Sequence, residues 1–211
     1  MALHYEVHPD DPQVRLLKQA EQQLARGGVL AVPTDSSYAL VCQLDDKAAV
    51  DRIRRLRQID EKHHLTLLCR DLSELASYAK VDNRQYRLIK LGTPGPYTFL
   101  LEASKEVPRR VSHPSRKTIG LRVPDHKVLR LLLQEHPGPL LATTLIPAGE
   151  DMPLNDPDEI RERYDKLIDG IIDAGACPME STTVLDLTPM GTGGDPEVLR
   201  QGRGPLDTLG L

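Results

Sequence analysis

At Pro33 the sequence turns from apolar to small and hydroxylic: Val29-Leu30-Ala31-Val32 stops there, and Thr34-Asp35-Ser36-Ser37 follows. Proline has no N–H to give a strand ladder, so Pro33 marks a strand end. The hydroxyls of Thr34, Ser36 and Ser37 therefore project from the edge of a sheet, where α/β folds commonly place ligand sites. Asp35 beside them can cap or accept a hydrogen bond. Arg54, Arg55 and Arg57 sit in one helical segment, in which residues two apart point about 200° away from each other. Such a face is ordinarily solvated. His63 and His64 are adjacent but have no cysteine or carboxylate cluster beside them, so no metal site is expected. Arg122, after Gly120-Leu121 and before Val123-Pro124, stands at a second strand end, where an arginine is normally a salt-bridged rim residue. Thr143-Thr144 and Ser181-Thr182-Thr183 put more hydroxyls at strand ends. The phosphate and nucleophile motifs G-x-x-x-x-G-K-[ST], G-x-G-x-x-G after a strand and G-x-S-x-G are all absent.

The elements that must carry these residues alternate irregularly. A helix with Leu16, Leu17, Ala20 and Leu24 on one stripe starts at Asp11-Pro12 and is closed by Gly27. It leads into the strand Val29–Val32. Asp46 caps a helix with Ala49, Val50, Ile53 and Leu56 inward. Leu65–Cys69 reads as a strand, and Asp71-Leu72-Ser73-Glu74 as a capped helix start. A further helix begins at Asn83, and Gly92–Pro96 is a turn into the strand Tyr97–Leu101. Residues 108–117 are a polar, basic loop. A strand over 118–123, a helix over 126–134 and a strand over 140–144 follow. Asp156-Pro157-Asp158-Glu159 is a helix start with cap, N1 proline and N3 glutamate. Strands at 168–173, 183–187 and 198–199 end the chain, with a glycine-rich, hairpin-like excursion over 189–196. Neighbouring strands near the end favour a mixed sheet over a wholly parallel one.

With 211 residues, no tryptophan, one phenylalanine and a formal net charge of -4, the chain reads as one α/β domain, 1–211. Its core must come from Leu, Val, Ile and Ala. The acidic balance argues against a generic basic nucleic-acid binder. Three widely spaced cysteines suggest neither disulfides nor zinc, and a reducing compartment is expected. No leader pattern and no membrane-length apolar run is seen, so a cytoplasmic location without membrane contact is expected.

Pro33-Thr34-Asp35-Ser36-x-Tyr38-Ala39-Leu40 resembles the signature loop of the YrdC-like family, Pro-Thr-Glu-Thr-x-Tyr-Gly-Leu, and within it the YciO branch. Arg55-Leu56-Arg57, Thr93–Thr98, Gly120–Pro124, Ser181–Val184 and Leu199–Gly202 support the match in the same order along the chain. The resemblance implies a twisted open mixed sheet flanked by helices, with a large concave face. It implies formation of threonylcarbamoyl-adenylate and pyrophosphate from threonine, bicarbonate and ATP, with magnesium, for modification of tRNA. It assigns Arg55, Arg57, Thr143 and Arg200 to ATP, and Thr34, His64 (or its neighbour His63), Arg122 and Ser181 to threonine. Arg55 replaces a lysine of the family's Lys-x-Arg and keeps the charge, but not the compact ammonium. Arg55 and Arg57 can share one triphosphate only if the helix ends here, which Gln58-Ile59-Asp60 allows. Leu145 replaces the asparagine of Ser-x-Asn, and Glu180 replaces a proline. Weakened turnover is expected from the Arg55 and Leu145 departures. Two other readings stand beside this one: a module binding tRNA or double-stranded RNA without nucleotide turnover, and an enzyme acting on a related acyl-adenylate.

Overall fold

The computed structural model describes residues 1–211. The chain runs β1 (Leu3–Glu6), α1 (Val14–Ala25), β2 (Leu30–Val32), β3 (Ala39–Gln43), α2 (Lys47–Arg57) and β4 (Thr66–Leu68). It continues with α3 (Leu72–Tyr78), α4 (Asn83–Leu91), β5 (Tyr97–Glu102), β6 (Thr118–Arg122) and α5 (Lys127–Glu135). Then come β7 (Leu140–Thr144), α6 (Pro157–Tyr164), β8 (Gly170–Asp173), β9 (Thr183–Asp186) and β10 (Glu197–Arg200). No helix is long and apolar enough to cross a membrane.

Helix starts follow the capping residues. The Asp46 carboxylate accepts from the Ala49 N–H, Asp71 from Glu74, and Asp156 from Asp158, each at 2.8–2.9 Å. Asp82 and Gln85 form a reciprocal capping box. Helix α1 departs from expectation: it starts at Val14, its cap Gln13 makes no side-chain capping bond to the helix, and Asp11-Pro12 lies upstream. The sequence reading also lacked β1 and β3. Strand β3 is buried on both faces, so it shows no alternation and reads as an undivided apolar run.

All ten strands form one sheet in the order β1-β8-β2-β3-β7-β4-β6-β5-β9-β10. It is mixed: β1–β8, β2–β8, β4–β6 and β5–β9 are parallel, while β2–β3, β3–β7, β4–β7, β5–β6 and β9–β10 are antiparallel. Residues 189–196 are the connection of the β9–β10 hairpin.

Side chains alternate across a strand, so each strand serves two layers. On one face Leu40, Leu67, Phe99, Leu101, Leu121, Leu141 and Leu185 join Ile53 of α2, Leu75 of α3, Ile89 of α4 and Ile160 of α6 in the larger core. On the other face Leu30, Val32, Val41 and Leu140 pack under Leu17, Ala20 and Leu24 of α1 and Leu129, Leu132 and Leu133 of α5. That second core reaches as far as Leu68 of β4. Beyond it, the second-face side chains of β6, β5 and β9 belong to neither core.

Candidate functional site

These leftover positions floor a cavity of about 360 Å³. Thr66 and Leu68, Thr98 and Leu100, Ala142 and Thr144, and Thr182 and Val184 line it in pairs two residues apart, with Arg122 between them on β6. Gly120 is required at its place on the floor: a Cβ there would lie 2.8 Å from Thr66 Oγ1 and 3.2 Å from Thr98 Cγ2. The walls are the 33–38 loop, the end of α2 with the segment after it, and the end of β10.

The 33–38 loop is built by Thr34. Its hydroxyl donates to the Ser37 carbonyl at 2.7 Å and accepts from the N–H groups of Ser36 and Ser37 at 3.0 and 3.2 Å. Thr34 lines the cavity, yet its bonding capacity is largely spent on the turn. Ser36 Oγ is the hydroxyl it presents, 3.0 Å from Thr34 Oγ1 and bonded by Arg122 Nη1 at 3.1 Å. Arg122 Nη2 forms an ion pair with the Asp35 carboxylate, both groups being nearly out of water. Burial pulls the Arg122 pKa down and Asp35 opposes that pull. The guanidinium that the family resemblance assigns to a substrate carboxylate thus already holds a carboxylate of its own chain.

Helix α2 continues through Arg57, so Arg55 and Arg57 diverge as an unbroken helix demands. Arg57 lines the cavity and donates to the Ile146 carbonyl, and its pKa is lowered by desolvation. Arg55 is exposed, lies outside the cavity lining and shares no ligand space with Arg57. Arg54 is turned to the 108–117 loop, where it donates to the Arg110 carbonyl at 2.9 Å. Arg200 lines the opposite wall, with Nε 3.0 Å from the Thr182 carbonyl and Nη2 3.3 Å from Thr182 Oγ1. Thr182 Oγ1 in turn meets Thr98 Oγ1 at 2.9 Å. Ser181, the residue assigned to threonine, is not in the lining; within the Ser181-Thr182-Thr183 run alternation gives that place to Thr182.

His63 and His64 both reach the cavity. His64 Nε2 lies 3.0 Å from Thr118 Oγ1, and its ring stacks on His113 with centroids 4.9 Å apart. Desolvation and the neighbouring His113 lower its pKa; desolvation and Arg57 lower that of His63. The shifts favour the neutral imidazole in both. Thr143 borders the cavity at the exit of β7, but Leu145 does not. Leu145 is fully buried in the larger core, because Ala142, Thr144 and Ile146 take the cavity side. Cys177, behind the loop, has its thiol pushed up to about 12 by burial, which makes it a poor nucleophile.

The cavity therefore offers cations and hydroxyls on the open half of a twisted mixed sheet, a place for a small anionic ligand. The comparisons give the class a family. The Sua5/YciO/YrdC model, described as "Telomere recombination", matches residues 22–202. The chain is 47% identical over 206 residues to the Escherichia coli (strain K12) protein described as "Uncharacterized protein YciO", covering 98% of each. Against the crystal structure of E. coli YciO the TM-score is 0.93, over 99% of this chain and 100% of that one. Human threonylcarbamoyl-AMP synthase is 32% identical over 181 residues, 83% of this chain and 64% of that protein. P. abyssi Sua5 in complex with L-threonine superposes with a TM-score of 0.86 at 25% identity, over 98% of this chain and 59% of that one. The chain belongs to the Sua5/YciO/YrdC family.

Proposed function

We propose that the protein binds magnesium–ATP and a small amino acid in this cavity and forms a carbamoyl-adenylate, with threonine as the amino acid. The observation that carries the reading is the convergence of Arg57, Arg122 and Arg200 with Ser36, Thr98 and Thr182 in one cavity, in a chain 32% identical to a threonylcarbamoyl-AMP synthase. In the reaction the threonine amine and bicarbonate give a carbamate and water. A carbamate oxygen then forms a bond to the α-phosphorus, and pyrophosphate leaves with the electron pair of the broken P–O bond. Magnesium arrives with the triphosphate as part of the substrate. Arg57 and Arg200 offset phosphate charge, Ser36 and Arg122 orient the amino acid, and the recessed floor keeps water from the labile product. Turnover is below that of a synthase with Lys-x-Arg and Ser-x-Asn, since α2 brings one arginine to the cavity and β7 brings no amide.

The test is incubation with ATP, bicarbonate and each amino acid in turn, followed by mass analysis of the nucleotide products. A threonylcarbamoyl-adenylate peak dependent on both bicarbonate and threonine is expected. Unchanged ATP with every amino acid would end the catalytic reading. Arg57→Ala is expected to weaken ATP binding by about 1.5–3 kcal/mol, the worth of a hydrogen bond to a charged group. Calorimetric titration of wild type and variant decides this, and equal affinities would remove Arg57 from the site.

A second role in RNA binding is favoured by one observation. A separate depression of about 720 Å³ is lined by Lys80, Lys105, Arg109 and Lys117, with Glu102 its one carboxylate. With six tyrosines and one phenylalanine in the chain, base stacking has few platforms, so such binding would rest on phosphate charge and be indifferent to sequence. Affinity for a duplex RNA should fall steeply between about 50 and 200 mM salt. A salt-independent affinity would contradict it.

A further inference from the structure

Resting on the nucleotide reading of this cavity, we infer that Lys62, and not Arg55, is the second cation of the phosphate grip. The motif that places a lysine two residues before Arg57 has arginine here, and α2 turns that arginine away to solvent. The chain supplies an ammonium from another direction. At the end of α2 Gln58 adopts a left-handed conformation, φ 50° and ψ 42°, and its N–H caps the last turn. The backbone then reverses. Asp60 Oδ1 fixes the reversal by accepting the N–H of Lys62 at 2.9 Å and of His63 at 3.1 Å. This turn sets Lys62 in the cavity lining beside Arg57 and His63.

The other cations of the lining are tethered. Arg122 is held by Asp35 and Ser36, Arg57 by the Ile146 carbonyl, and Arg200 by Thr182. The Lys62 ammonium makes no hydrogen bond or ion pair within the protein. A mobile point charge with three donors, on a backbone that is itself fixed, suits a condensed phosphate chain whose oxygens offer several equivalent acceptors. Its ligand class is thus the polyphosphate of a nucleoside triphosphate, gripped between the segment after α2 and the end of β10.

The experiment is calorimetric titration of the full chain with magnesium–ATP, with inorganic tripolyphosphate and with adenosine. Wild type is compared with Lys62→Ala, Lys62→Arg and Arg55→Ala. Lys62→Ala should weaken ATP and tripolyphosphate on the order of tenfold and leave adenosine unchanged, while Lys62→Arg restores most of the loss. Arg55→Ala should bind as wild type does. Wild-type affinity for tripolyphosphate in Lys62→Ala, or an equal loss in Arg55→Ala, overturns the assignment alone. Lys62-dependent binding of tripolyphosphate with no binding of ATP upholds it and overturns the nucleotide reading. A wild type that binds neither overturns both.

Discussion

Asp35→Ala is expected to destabilise the fold by about 3–5 kcal/mol, the usual result of leaving one member of a buried ion pair without the other. The Asp35 and Arg122 side chains are only 12% and 6% exposed, so solvent cannot replace the lost carboxylate. Ser36 remains as a partner for Nη1, but a hydroxyl does not neutralise a guanidinium. Urea unfolding should show the midpoint lowered with an unchanged slope. The double variant Asp35→Ala with Arg122→Met removes both charges and should recover much of the loss. A single variant within about 1 kcal/mol of wild type would mean that the pair is solvated and contributes as surface pairs do. The pair also bears on substrate binding. A carboxylate arriving at Arg122 meets a cation already half neutralised, so its affinity must draw on the neighbouring hydroxyls as well. Arg122→Ala would lower amino-acid affinity and stability together, and the two effects need separate measurement.

Leu145→Asn, the change that would restore the family's Ser-x-Asn, is expected to cost roughly 3–5 kcal/mol and to gain no activity. The leucine contributes about 1.5–3 kcal/mol by burial, and an amide left without partners in its place costs about 1–3 kcal/mol more. Its backbone is fixed on both sides: the Leu145 N–H donates to the Tyr38 carbonyl and the Leu145 carbonyl accepts from Leu154, each at 2.9 Å. The side chain therefore cannot swing to the cavity without breaking the strand exit. Thermal melting read beside pyrophosphate release checks both halves. A variant as stable as wild type with faster release would show that the asparagine reaches the phosphates after all.

Much of this was open to a reader of the sequence. The caps at Asp46, Asp71 and Asp156 and the strand stop at Pro33 act through neighbouring residues, so local chemistry fixes them. The sheet's mixed character followed from the irregular alternation of elements. Faces were harder. The period of two makes Ala142, Thr144 and Ile146 one face and Leu141 and Leu145 the other, but only the apolar partner layer says which face is inside. The same arithmetic separates Thr182 from Ser181. In α2 the 200° divergence of Arg55 and Arg57 was visible in advance, and the open question was where the helix stops. Gln58, a non-glycine residue in a left-handed cap, gives no sequence signal for that. The Asp35–Arg122 pair joins positions 87 apart in the chain, beyond any local rule.

One half of the sheet's second face has no helix over it, and this makes neighbouring residues of one strand unequal under mutation. Leu101 of β5 lies in the larger core, where truncation to alanine leaves a closed void as well as lost burial. Leu100, the next residue, looks into a space that already exists, so its truncation enlarges a recess and seals off nothing. The same holds for Val184 against Leu185 on β9. Evolution can thus redraw the floor that a ligand touches while the layer beneath keeps the molecule folded. A lineage built on this sheet can exchange its substrate by small steps, with few compensating changes elsewhere.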